Sequence, residues 1–159
     1  MRRGDMPMGD IQRAYSSNAF IHVDKITSGQ ATWMNAFEEY ARWMSPIGMS
    51  PRRIAQPHTY AGFTFQPEDR VFFMFSSANR DEDHFENSDQ YDIMRDVGPA
   101  ISFGAGPHFC AGAWISKAMI AEVALRLFFD RFPNTRLLSD VDYMGWAFRG
   151  PKPFRVAVG

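Results

Sequence analysis

The sequence predicts a mainly α fold with small β-sheets (α+β). Three observations lead there. Residues 31–45 and 110–132 carry apolar side chains at helical spacing. Short apolar pieces bounded by turn formers lie between and after them. The chain has 159 residues, 45% of them apolar, with 15 Phe, 4 Trp and 5 Tyr, enough for a packed core.

Residues 1–30 begin "MRRGDMPMGD" and stay polar and irregular, so they are set aside as an unassigned leader. The folded portion is expected over 31–159. In "ATWMNAFEEYARWMS" (31–45), Trp33, Phe37, Tyr40 and Met44 share a helix face, and Pro46 ends the helix. Next, "GFTF" (62–65) and "RVFFMF" (70–75) flank "QPED" and predict a hairpin. "RVFFMF" is apolar on both faces and is expected to be buried on both. Residues 76–100 are rich in Asn, Asp and Ser and predict irregular chain. "CAGAWISKAMIAEVALRLFFDRF" (110–132) predicts one long helix, halted by Pro133. "GWAFRG" and "FRVAV" predict two short strands around a Gly-Pro turn.

Composition narrows the function classes. Seventeen basic residues against 18 acidic ones give no reason to expect nucleic acid or an anionic membrane as partner. A single cysteine excludes an intramolecular disulfide and fits a reducing, cytoplasmic setting. The start has no apolar signal-peptide core, and no run of about 18 apolar residues suggests a span.

That one cysteine, Cys110, lies in "FGAGPHFCAG" at the mouth of the long helix. Unpaired N–H groups and partial positive charge at a helix N-terminus favour a thiolate, the form that ligates metals. Gly104, Gly106 and Gly112 let backbone approach a bulky group or take positive φ. Pro107 stiffens the loop, and Phe103 and Phe109 are placed to keep water from the sulfur. A buried structural cysteine is the ordinary alternative. Phosphate binding lacks its GxGxxG pattern, and zinc would want further ligands at matched spacing. A nucleophile elbow wants glycine where His108 stands.

Phe103, Gly104, Gly106, His108, Cys110 and Gly112 follow FGxGxHxCxG position by position. The loop resembles the haem-binding loop of the cytochrome P-450 family, in its soluble bacterial type. Glu39 and Arg42 in "EYAR" resemble that family's ExxR pair, with Arg95 of "YDIMRD" as the arginine that completes it. "SPRRIA" resembles the stretch carrying a propionate-binding arginine. Arg52 and Arg53 are both eligible, and Arg53 fits the local R-x-A pattern better. "SANRD" (77–81) and the segment from "GWAFRG" onward are similar to the family as well.

The resemblance implies the C-terminal part of the cytochrome P-450 fold, lacking the N-terminal portion and the I helix. It implies haem b held by the Cys110 thiolate, a propionate near His108, and structural roles for Glu39, Arg42 and Arg95. It implies a haem-thiolate monooxygenase taking electrons from a ferredoxin or flavoprotein and acting on a small organic substrate. Lys117, Arg126 and Arg131 are candidate cations for the donor's docking face. A missing N-terminal half on another chain would complete the enzyme, and the isolated chain is expected not to turn over. A truncated, non-catalytic remnant with weak or no haem binding is the alternative.

Overall fold

The computed structural model describes residues 23–159. The first 22 residues of the unassigned leader lie outside that range, and its last part forms a short helix, α1 (Val23–Thr27). Helix α2 (Trp33–Met44) follows. Thr32 caps it: Thr32 Oγ1 accepts from Asn35 N at 3.1 Å, and Thr32 N donates to Asn35 Oδ1 at 2.9 Å. Such reciprocal bonding satisfies donors that a helix start leaves orphaned. Ser45, at φ 47, turns the chain out of the helix just before Pro46. The last turn is the most deeply buried, with Trp43 and Met44 at 1% and 0% exposure. They form the core with Ala31, Tyr91 and Ile93, and Trp43 meets Tyr91 and Tyr143 edge to face.

The strands are short and pair in twos. β1 (Ser50–Arg53) pairs antiparallel with β4 (Arg70–Phe73), and β2 (His58–Tyr60) with β3 (Phe63–Phe65). The expected hairpin across "QPED" is therefore corrected: β3 turns back on β2, and β4 runs beside β1. The chain reverses at Ala61 and Gly62, both at positive φ, the twist that a two-residue hairpin turn needs. Full burial of "RVFFMF" is corrected too. Phe72, Phe73 and Met74 are 47%, 52% and 39% exposed, and β4 has only one neighbouring strand among the described residues.

Helix α3 (Phe75–Ala78) opens the irregular segment, which continues as turns to residue 100. The long helix begins at Ala113, three residues after Cys110. It runs without a break through α4 (Ala113–Lys117), a π-wound stretch (Ala118–Leu125) and α5 (Arg126–Arg131). It packs along α2, with Trp33 stacked on Phe129 at 4.9 Å. At the C-terminal end, β5 (Arg136–Leu137) pairs with β8 (Val156–Ala157), and β6 (Tyr143–Met144) with β7 (Gly150–Pro151). "GWAFRG" is thus mainly the turn between β6 and β7, and the expected Gly-Pro turn is itself strand β7. Phe148 in that turn bridges back to Ile47.

Candidate functional site

Backbone hydrogen bonds shape the cysteine loop. Gly104, at φ 74, bonds its N–H to Ile101 O at 2.9 Å. Gly106, at φ 61, opens a single 3₁₀ turn, Gly106–His108. Cys110 N–H then donates to Phe103 O at 2.8 Å, closing the loop on itself. Cys110 O accepts from Ala113 N at 3.1 Å and leads into the helix. A Cβ on Gly106 would meet nothing within 4 Å, so its role is the backbone turn and not tight packing. Gly112 keeps a negative φ, and a Cβ there would lie 3.8 Å from the Cys110 sulfur.

Cys110 lines a largely apolar cavity of about 840 Å³. Phe37, Ile47, Phe73, Ile101 and Phe103 contribute to its wall, and Arg52 and His108 supply polar groups. The expectation that Phe109 shields the sulfur is corrected. Phe109 is 46% exposed and lines a second cavity, of about 510 Å³, while the thiol is exposed. Phe103 and Gly104 line both cavities.

The structure separates the two candidate arginines. Along β1, residues alternate faces. Arg52 lines the thiol's cavity, donates to Ser50 Oγ at 2.6 Å, and lies 5.5 Å from the centre of the Phe73 ring. Arg53 points away and pairs with exposed Glu68 at 2.9 Å. The local pattern favoured Arg53, yet the cavity contains Arg52.

Glu39, Arg42 and Arg95 come together behind this wall. Glu39 and Arg42 are fully buried and form a two-pronged pair, with Nε–Oε2 at 2.7 Å and Nη2–Oε1 at 2.8 Å. Glu39 Oε1 also accepts from Asp92 N at 2.9 Å and Arg95 Nε at 3.2 Å. Arg42 Nη1 donates to the carbonyls of Asn79 and Ser88, and its guanidinium lies 5.2 Å from the Phe85 ring centre. Buried charge on this scale persists only when its hydrogen-bonding groups are met.

Sequence reasoning missed Asn79. Its Nδ2 donates to Ser45 Oγ at 3.0 Å and Ser102 Oγ at 3.2 Å, and its Oδ1 accepts from Ile101 N at 2.8 Å. The end of α2 is thereby bonded to the two residues before Phe103. The residue stands inside "SANRD", but its partners lie 22 to 34 positions away and no local pattern announces them.

The candidate docking cations also differ among themselves. Arg126 is exposed beside Asp130, and Arg131 rests against Phe132. Lys117 is half-buried and bonded to Glu38 at 2.5 Å.

The model of the family described as cytochrome P450 matches residues 33–136. This chain belongs to the cytochrome P450 family. Within the P450s, it is 34% identical over 122 residues to a steroid C26-monooxygenase of Rhodococcus jostii, covering 75% of this chain and 26% of that one. It is 36% identical over 112 residues to 6-deoxyerythronolide B hydroxylase of Saccharopolyspora erythraea, covering 70% and 28%. Among solved structures, CYP154A1 of Streptomyces coelicolor is similar with a TM-score of 0.81 at 25% identity, over 94% of this chain and 40% of that one. The P450 PksS of Bacillus subtilis gives 0.77 at 27% identity, over 93% and 41%. The chain thus spans about a quarter of the length of these curated relatives, and its fold is a partial P450 fold of helices and small sheets. P450s bind haem b. The cavity fits such a flat, apolar group, since it offers an apolar wall, the chain's only thiol, and Arg52 and His108 for acidic side groups. No helix among the described residues is long and apolar enough to cross a membrane.

Proposed function

We propose that this chain forms the thiolate side of the haem site of a monooxygenase. The observation that carries the reading is the shared cavity: Cys110 opens into an apolar space of about 840 Å³ that also holds Arg52 and His108. Thiolate-ligated haem supplies O–O bond cleavage and oxygen insertion into an organic substrate. The chain's residues do the rest. Cys110 ligates the iron, Phe103 and Phe37 give the macrocycle an apolar bed, and Arg52 and His108 bind its carboxylates. Glu39, Arg42 and Arg95 hold the wall rigid without touching substrate.

Electrons come from a ferredoxin or flavoprotein in this reading, and the substrate is a small organic molecule. Support for the substrate class comes from the steroid monooxygenase and the 6-deoxyerythronolide B hydroxylase among the relatives. The placement is cytoplasmic, which suits a free thiol. Further polypeptide, on this chain or another, covers the cavity's open side. Exposed Trp114, Ile115, Met119 and Leu127 on the long helix, with Phe72 and Phe73 on β4, are surfaces that such a cover would bury.

The test is a haem titration of the purified chain followed by a ferrous-CO spectrum, compared with Cys110→Ser. A thiolate-type band in the wild type that is lost in the variant is expected. The same band in both would overturn the ligand assignment. No haem binding by either would favour the non-catalytic remnant.

A further inference from the structure

The loop that presents Cys110 has its own restraint, on the side away from the thiol's cavity. Lys117 Nζ lies 2.5 Å from Glu38 Oε1, and the two side chains are only 23% and 26% exposed. The same ammonium sits 5.7 Å from the centre of the Phe103 ring and 5.6 Å from that of Trp114. Phe103 meets Phe37 of α2 at 6.3 Å. Its carbonyl receives the Cys110 N–H at 2.8 Å. A cation held by a carboxylate and set near an aromatic ring adds attraction to the ring's packing. Lys117 and Glu38 both line the 510 Å³ cavity, where Phe103 and Gly104 form the boundary with the thiol's own cavity.

We propose that Lys117 is a positioning residue: with Glu38 it forms a clasp across α2 and the long helix that holds Phe103, and through Phe103 fixes the loop carrying Cys110. Lys117 therefore acts within the fold rather than as a docking cation for an electron donor. Its charge is already engaged, and its side chain is largely covered. Exposed Arg126 differs, because it meets Asp130 only at 3.8 Å and at the surface. The inference gains its functional meaning from the reading of Cys110 as haem ligand, but the clasp itself is a property of the protein chain.

Hydrogen exchange of the purified 159-residue chain, resolved by peptide mass spectrometry, tests it without haem. Lys117→Met and Glu38→Gln should each speed exchange across 103–113 by about five-fold, the factor set by one modest interaction. Exchange across β1 and β4 should stay as in the wild type. Lys117→Arg keeps the charge and the ring contact and should restore slow exchange. The proposal is overturned by unchanged loop exchange in both single variants. It is equally overturned by a rise of the same size in β1 and β4, which marks a global loss of stability. A second arm records the ferrous-CO spectrum of haem-loaded Lys117→Met, where a shifted or heterogeneous band is expected and an unaltered one counts against the clasp. Loss of the Cys110 assignment would show instead as an unchanged spectrum in Cys110→Ser, so the two failures are distinguishable.

Discussion

Arg42 and Glu39 face each other through two parallel hydrogen bonds, 2.7 and 2.8 Å long, with neither side chain reaching solvent. One turn of helix α2 thereby carries a full ion pair into the interior. Glu39→Ala leaves the Arg42 guanidinium buried without its carboxylate. The expected loss is about 3–5 kcal/mol, a large share of a small domain's stability. Soluble yield and the urea unfolding midpoint measure it, and a normal midpoint would refute the role.

Asn79→Ala should uncouple the end of α2 from the cysteine loop. It strands the Ile101 N–H and removes the donor to the hydroxyls of Ser45 and Ser102. A buried group left unpaired costs about 1–3 kcal/mol. Chemical unfolding reports the total, and thiol labelling of Cys110 reports the effect on the loop.

Arg52 and Arg53 should separate in a haem titration. Arg52→Ala removes the cation lining the thiol's cavity and should weaken haem affinity about ten-fold, the effect of one charge-assisted hydrogen bond. Arg53→Ala breaks only an exposed pair with Glu68 and should leave affinity unchanged. The reverse order would place the propionate site on the other face of β1.

Alkaline pH should unfold this chain through its tyrosines. Burial, and then the nearby negative charge of Glu39, push the Tyr91 hydroxyl well above its ordinary range, and burial raises that of Tyr40. The folded state therefore holds these protons more tightly than the unfolded one. Stability is full below the unfolded tyrosine value, about pH 10, and falls as pH rises beyond it. Tyr91→Phe should flatten that decline while losing the 2.9 Å bond from the hydroxyl to Ala36 O. Thermal midpoints between pH 8 and pH 11 give the comparison.

Gly145→Ala should disorder the turn between β6 and β7. Gly145 sits at φ 93, and a Cβ there would lie 1.8 Å from Phe148 O. Strain of that kind costs about 1–3 kcal/mol before the clash is counted. Limited proteolysis around 145–149 is the direct measurement, and wild-type resistance would refute the expectation.

Sequence reading went furthest where chemistry is local. The cysteine loop was legible because its glycines, histidine and thiol lie within ten residues, and Glu39 with Arg42 because they share one helix turn. It failed where position depends on distant chain. "GFTF" and "RVFFMF" look like hairpin partners, but β4's true neighbour begins 20 residues before it. The choice between Arg52 and Arg53 turns on strand parity, which only the β1–β4 register reveals. The burial of Phe72 and Phe73 depends on what covers β4, and their own residue types carry no record of that.

The network around Glu39 has a kinetic consequence. Its carboxylate gathers donors 3, 53 and 56 positions away, and Arg42 reaches carbonyls 37 to 48 positions on. Such contacts close long loops, and their entropy must be lost before the bonds repay it. During synthesis, α2 emerges with its two charges still hydrated and must wait for about fifty further residues. The assembly of this network is thus a late event, complete only when Asn79, Asp92 and Arg95 have reached the helix. The bonds that satisfy this buried pair are therefore the ones that cost the most loop-closure entropy to form.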